Sequence, residues 1–528
     1  IMAVPSSLLR VPVEMPDRSG HNLSHSNLFT GKTGTLIPVL CEELLPNDTV
    51  SVGANFQVQL PPMVTDFYGK VDFVLEAFFV PNRLCWQGWK DFITHPTANP
   101  QYPEGTPVQA KPNSVPYFDI SIPSGESQGD YDVPIDSLLS YLDYGTRLSS
   151  TNRPSVLPAV AYHRIWDDWY RDSRVQSPLF YAPAGQDLSN GEVALRSLPY
   201  LSTLYDGGAL SFLPSRTFSD GVPVSSLRQR NWVKDYFTSA SPLPQAGGAS
   251  EVKFDVADNT GAFSIATLRA ANSMQKWMER NNLAGYRYAD QIYAQFGRYP
   301  ADAIMDRCLY LGRHVDPVYN RSVFDTAGAS ETGNLGKKAA NSQVLGEGSL
   351  VDNFTASEHG FLMVLASLVP RPIYATGAER RNFRLKVGDF AFPLLAGMGD
   401  QAIKRYELQG ESNLNDTFGY TDLYAEYKFR NDRVHGLMRD GQSLESYAIQ
   451  RSFDNLSITT INSQFLQIPT SYLDQVQAVE TSTQGYTYWA EVYFPYKKIS
   501  TIPAYSQPTL ADLKHAHTEY ISRGGKRL

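Results

Sequence analysis

VDFVLEAFFVPNRLCWQGWKDFI, residues 71–93, decides how the rest of the chain reads. Val71, Phe73, Val74, Leu75, Ala77, Phe78, Phe79 and Val80 are apolar, with only Asp72 and Glu76 between them. A half-exposed strand alternates apolar and polar residues, whereas a run apolar at both parities fits a strand covered on both faces. Pro81 has no N–H to give a ladder, so Pro81-Asn82 should end the strand. Trp86 and Trp89 then lie three apart and share a face if a helix follows. No residue in this stretch carries catalytic chemistry.

Working outward, Val50 to Leu60 alternates cleanly, with Val50, Val52, Ala54, Phe56, Val58 and Leu60 on one face. Leu36–Leu40 is a further apolar run, His359–Val369 reads as a buried strand, and Tyr486–Phe494 alternates. Residues 162–170 place Tyr162, Ile165, Trp166, Trp169 and Tyr170 at helical spacing, and residues 264–282 repeat the pattern. A third helix runs through Tyr288, Ile292 and Phe296 and stops at Gly297. Residues 1–34 show little periodicity and read as an extended arm. Residues 96–350 read mostly as inserted loops and helices, and within them the Gly/Ser/Ala-rich stretch 326–350 reads as a flexible or partner-ordered loop. Strands at both ends of the chain with helices between them suit a single mainly β domain, a β-sandwich with expanded loops. A parallel α/β sheet would need a regular strand–helix alternation that is absent.

Gly 38, Pro 34, Tyr 31 and Phe 26 agree with β structure and ordered loops. A net charge of −8 excludes a protein that coats nucleic acid over its whole surface, though not one with a local basic face. Cys41, Cys85 and Cys308 cannot all pair within the chain and read as buried thiols in a reducing compartment. No signal-peptide pattern and no membrane-length apolar run is present, so a soluble protein made in a cytoplasm is expected.

Several motifs resemble chemistry. Gly125-Glu-Ser127-Gln-Gly129 matches a nucleophile elbow but sits in a polar turn cluster without an apolar helix behind it. Gly397-Met-Gly399-Asp-Gln-Ala402 matches a relaxed dinucleotide fingerprint but lacks the βαβ setting. His515 and His517 have no third ligand nearby. Glu358-His359 reads as a strand start rather than an acid/base pair, and Asp167-Asp168 as the wet side of the aromatic helix. No catalytic set, metal site or cofactor is expected. The basic groups Arg228/Arg230/Lys234 and Arg380/Arg381/Arg384/Lys386 read as solvated or salt-bridged arginines at subunit contacts. Arg523, Lys526 and Arg527, in a basic tail over 506–528, are the candidate nucleic-acid contacts. Trp86, Trp89, Trp166 and Trp169 are candidates for either core or subunit interface.

Taken in order, SNLFTGKTGTLIPVLCEELLPNDT (26–49), FVLEAFFVPNRLCWQGWKDFI (73–93), YHRIWDDWYRD (162–172), RNWVKDYFTSASPLPQAG (230–247), EHGFLMVLASLVPR (358–371) and FGYTDLYAEYKFRNDRVHG (418–436) resemble the major capsid proteins of the Microviridae, the small single-stranded DNA phages, on the gokushovirus-like side. The resemblance implies a single viral jelly roll of eight antiparallel strands in two four-stranded sheets. It implies pentamers and a T=1 icosahedral shell around circular single-stranded DNA, in the virion, after synthesis in the bacterial host cytoplasm. It further implies a small basic DNA-binding virion protein, a DNA pilot protein and a host surface receptor as partners, and no membrane insertion. Where such coats carry a long insertion after PLPQ, only GGASEVKFDVADNTGAF (247–263) separates that motif from the next helix, so a small or absent three-fold protrusion is expected. The loops Tyr170–Val224 and Gly328–Leu350 are then the candidates for exposed surface. The competing readings are a carbohydrate- or receptor-binding β-sandwich and a serine hydrolase using Ser127.

Overall fold

The computed structural model describes residues 18–86, 89–94, 115–118, 131–148, 154–179, 211–212, 218, 220–244, 288–298, 307–324, 338–395, 399–410, 416–453 and 459–504, with isolated positions between 269 and 280. Its long strands are β1 (Ser19–Asn22), β2 (His25–Gly31), β3 (Ile37–Leu44), β4 (Thr49–Gln59), β5 (Val71–Pro81), β6 (Leu309–Pro317), β7 (Tyr319–Phe324), β8 (Lys338–Thr355), β9 (Gly360–Pro370), β10 (Tyr488–Phe494) and β11 (Tyr496–Ser500). One sheet has the order β6–β5–β9–β3. The other runs β1–β11–β4–β8–β7, with β10 between β2 and β4. Leu23-Ser24 separates β1 from β2 and Pro495 separates β10 from β11, so each pair is one long strand with an interruption. Counted that way, the long strands order as first–eighth–third–sixth in one sheet and fifth–fourth–seventh–second in the other, with β7 added at an edge. This is the jelly-roll connectivity.

Sequence pattern and burial agree strand by strand. In β4, Val50, Val52, Ala54, Phe56 and Val58 are buried between the sheets while their neighbours are not. The doubly apolar β5 is covered on both faces. Phe73, Leu75, Ala77 and Phe79 enter the sandwich core, whereas Phe78 and Val80 enter a second core beneath the long insertion. β9, hydrogen-bonded beside β5, divides likewise: Leu362, Val364, Ala366 and Leu368 face the sandwich, Met363 and Leu365 the insertion.

The expected arm over 1–34 is sheet from Ser19 onward. Its strands pair with β10 and β11, more than 450 residues later in the chain, and only that distant partner reveals them. The expected stretch of loops and helices over 96–350 contains β6, β7 and most of β8. The Gly/Ser/Ala-rich stretch is not a loop from Lys338 on: β8 pairs with β7 over Lys338–Gln343 and with β4 from Gln343 to Thr355. Its glycines serve close approach. A Cβ on Gly346 would lie 2.4 Å from Phe56 Cζ, and one on Gly348 2.2 Å from His314 Nδ1. Of the expected exposed loop Gly328–Leu350, the part from Lys338 on is strand, and residues 328–337 lie outside the described residues.

Two insertions leave the sandwich. The first joins β5 to β6. The second, residues 371–487 between β9 and β10, does not stand out in the sequence, and it packs its own core of Tyr236, Phe237, Tyr374, Phe418, Phe453 and Phe465 with help from the first insertion. The helix Tyr288–Phe296 ends as expected, with Gly297 at φ +69° and its N–H bonded to Tyr293 O at 2.8 Å. Of the expected helix over 264–282, the described positions 269, 273, 274, 276, 277 and 280 are helical.

Candidate assembly surface and its anchors

An assembly protein needs rigid surfaces, and here rigidity begins with the aromatic helix of the first insertion. Leu157–Ile165 is α-helical, with proline in its first turn where a missing N–H costs nothing. It continues as a π turn over Trp166–Tyr170, closed by Arg171 N–H to Trp166 O at 3.0 Å. Tyr162 Oη donates to Leu36 O at 2.8 Å and accepts from Arg228 N–H at 2.7 Å, so one hydroxyl ties helix, sheet and loop together. Trp166 Nε1 donates to Gln229 O at 3.0 Å, and Trp169 Nε1 to Cys308 O at 3.1 Å.

The four candidate tryptophans separate by environment. Trp86 and Trp166 are 2% exposed, within the chain's own second core. Trp86 ends the short helix Asn82–Cys85 in extended backbone, and Trp89 opens a separate helix, Trp89–Thr94, so the two do not share one helical face. Trp89 is partly buried against the same core, with His359 edge-on to its ring. Trp169 is 37% exposed, with the Arg307 guanidinium 3.6 Å from its ring centre. A direct contact with a neighbouring subunit is thus open to Trp89 and Trp169.

Charged side chains placed inside the sandwich and insertions are paired. Glu76, 7% exposed on β5, accepts from Tyr170 Oη at 2.5 Å and Arg230 Nη1 at 2.7 Å. Asp167 and Asp168, expected on a wet face, are instead buried. Asp168 accepts from Arg164 Nε at 3.1 Å and Cys308 N–H at 3.0 Å, and Asp167 pairs with Arg171 at 2.7 Å. Their inward placement is met by arginines one turn away, Arg164 for Asp168 and Arg171 for Asp167. Burial opposes ionisation of Asp172, yet hydrogen bonds from Arg174 and the Lys234 charge hold its carboxyl well below the usual range. Burial, then the Arg228 charge, pushes the His163 pKa well below its ordinary value. Arg228 Nε donates to His163 Nδ1 at 3.0 Å, so the imidazole proton sits on Nε2 and points to Val224 O at 2.9 Å. Such groups tolerate burial because each meets an opposite charge or a hydrogen-bond partner.

Most cations of the two internal basic groups are paired within the chain. Arg228 pairs with Asp220, Arg230 with Glu76, and Lys234 with Asp172. Arg380 lies 3.5 Å from Glu407, and Arg384 is 2.8 Å from Glu426. Arg451 links both insertions: its guanidinium lies 4.8 Å from the Trp232 ring centre and 4.4 Å from that of Phe465, and it donates to Phe465 O at 2.8 Å.

The chemical motifs dissolve where they can be seen. Gly399 is followed by the strand Asp400–Lys404, not by a phosphate-binding helix. Glu358 is held by Arg83 Nε at 2.9 and 3.0 Å. Among the described residues no three His, Cys, Asp or Glu side chains converge as a metal site, and no helix is long and apolar enough to cross a membrane. The three thiols are unpaired, and Cys85 and Cys308 are buried. Ser127, His515, His517, Arg523, Lys526 and Arg527 lie outside the described residues.

One surface feature escapes the motif reading. Between Phe383 and Leu394 six large apolar side chains point outward: Phe383, Leu385, Val387, Phe390, Phe392 and Leu394. Leu385, Val387 and Leu394 are 88, 77 and 93% exposed. In the sequence the signal is the spaced apolar positions of NFRLKVGDFAFPLL, interleaved with Arg384 and Lys386.

Comparison with known proteins accounts for this architecture. The family model for the capsid protein (F protein) matches residues 10–258 and 249–510. Capsid protein VP1 of Chlamydia phage 1 is 27% identical, over 95% of this chain and 97% of its own length. Capsid protein VP1 of Spiroplasma virus 4 is 25% identical over 93 and 95%. That of Bdellovibrio phage phiMH2K is 24% identical over 85 and 87%. A jelly roll with two docked insertions, matched along most of its length, is a structural and not a catalytic protein of the virion: the chain belongs to the capsid protein (F protein) family of small phages.

Proposed function

We propose that the chain assembles through pentamers into a T=1 icosahedral shell that encloses a circular single-stranded DNA genome. The observation that carries this reading is the order-preserving match to phage capsid proteins over a jelly roll whose strands come from both ends of the chain. The described cations are mostly paired internally and the net charge is −8, so bulk charge cannot neutralise a genome. Arg523, Lys526 and Arg527 then act as a local tether to DNA, and a small basic virion protein supplies the remaining neutralisation. A DNA pilot protein and a host surface receptor complete the set of partners, and synthesis takes place in the bacterial host cytoplasm.

The test is electron microscopy and nucleic-acid quantification of particles formed by the full chain and by a chain truncated after Ser522. Uniform isometric shells with reduced DNA content in the truncated form support both parts of the reading. Monodisperse monomers of the full chain defeat the shell; unchanged DNA content defeats the tail's role.

A further inference from the structure

We propose that the segment Phe383–Leu394 is a preformed knob that docks onto a second copy of this chain in the shell. The proposal rests on the shell-forming role that the family establishes, and it names the surface, which the family match does not.

Three observations carry it. The apolar side chains are concentrated in twelve residues, and the most prominent are almost fully exposed. Exposed large apolar side chains concentrated in this way mark an interaction site. The segment is also built to stay in place. Asp389 accepts from the N–H groups of Leu385 and Lys386 at 2.9 and 2.8 Å, closing a tight turn beneath the exposed tips. Short 3-10 turns follow one another over Arg380–Phe383, Val387–Asp389 and Pro393–Leu395. Finally, the knob is stapled to the rest of the second insertion. Arg384 bonds Glu426 at 2.8 Å and lies 4.4 Å from the Tyr427 ring centre, while the Phe383 ring is 4.3 Å from that of Tyr406. A segment held by charge-assisted bonds below and apolar above loses little freedom on docking, the economical design for an interface.

The occupant follows from the family. A capsid subunit is surrounded by copies of itself, so a surface that must be covered for the chain to remain soluble is covered first by another subunit. The segment's cations do not point to nucleic acid instead: Arg384 is engaged by Glu426, Lys386 is a single exposed cation among six apolar side chains, and Arg380 and Arg381 just before the segment are engaged by Glu407 and Glu379.

The experiment uses Leu394→Cys in the full chain, with thiol labelling counted over the wild-type background, in dissociated subunits and in shells. The expected result is rapid labelling of subunits and at least ~10-fold protection in shells, as for a residue entering a desolvated contact. In parallel, Leu385→Asp with Leu394→Asp should raise the subunit concentration needed for assembly by ~30-fold or more, with an unchanged denaturation midpoint for the dissociated subunit. Equal labelling in both states overturns the proposal, as does normal assembly of the double variant. Protection seen only in complete virions, and not in shells of this chain alone, assigns the knob to a different virion protein and also overturns it. Failure of the wild-type chain to form shells would instead strike at the shell reading.

Discussion

Replacing Glu76 by glutamine should release the first insertion from the sandwich. Glu76 lies on β5, whereas Tyr170 and Arg230, its two close partners, belong to the insertion. The Glu76 and Arg230 side chains are 10 and 14% exposed, so the change leaves a guanidinium in a poorly solvated site without its counter-charge. Breaking such a pair from one side costs about 3–5 kcal/mol. The lower end applies, since Arg230 keeps Ser367 Oγ at 3.1 Å and the Tyr170 ring at 5.2 Å. The third cation, Arg313, lies 3.5 Å away and is 44% exposed, so its loss adds little. The expected total is about 3 kcal/mol, read as a shift of the urea midpoint of dissociated subunits. The loss should be local, with faster amide exchange over 157–170 and 228–240 and unchanged protection in β4 and β8. Adding Arg230→Met should restore more than half of it, because both charges are then gone. A cost below about 1 kcal/mol, or full additivity of the two changes, would refute the claim that this pair anchors the insertion.

Other consequences are sharper in direction than in size. In Gly312→Ala the new Cβ meets Leu350 O at 1.9 Å across the two sheets, so calorimetry should show a loss at the upper end of ~1–3 kcal/mol or beyond. Trp86→Ala should cost about 3–5 kcal/mol and abolish soluble expression at about 37 °C before assembly can be assayed, whereas the half-exposed Trp169 should tolerate alanine as a soluble subunit. His163 is neutral when folded and has its ordinary pKa near 6.5 when unfolded. Only the unfolded state gains a proton there as pH falls, so stability should drop by up to about 1.4 kcal/mol per pH unit below about 6.5, and His163→Gln should flatten that slope in midpoint-against-pH measurements. Burial pushes the Cys85 thiol up to about 12, so alkylation of Cys85 in subunits at neutral pH should track global unfolding and stop when unfolding is suppressed.

The sandwich was legible wherever local pattern equals environment. β4 and β10 alternate because one face meets the core, and β5 is apolar at both parities because the insertion covers its other face. Legibility failed where the deciding partner is remote. β1 and β2 are sparse in apolar residues, and only hydrogen bonds to β10 and β11 reveal them as strands. β8 failed for a second reason. Glycine-rich sequence reads as freedom, but Gly346 and Gly348 lack side chains because Phe56, Asp316 and His314 occupy that space. Asp167 and Asp168 misled in the same way, since a charge predicts water only until arginines one turn away are placed.

These failures share a consequence for assembly. Over and above the apolar second core, the first insertion is tied to the sandwich by a few directional contacts — Glu76 with Arg230, Tyr162 with Leu36, Arg230 Nη1 to Ser367 Oγ at 3.1 Å — rather than by continuous sheet. Directional contacts fix orientation more strictly than apolar area does, because a misaligned ion pair in a buried site loses its partner while a misaligned methyl loses little. A shell closes only if every subunit presents its contact surfaces at the same angles. A jelly roll whose accessory layers are pinned by paired charges can therefore carry a knob such as Phe383–Leu394 in a fixed attitude. Weakening the pins, as in Glu76→Gln, should then produce misassembled particles at a destabilisation too small to unfold the sandwich.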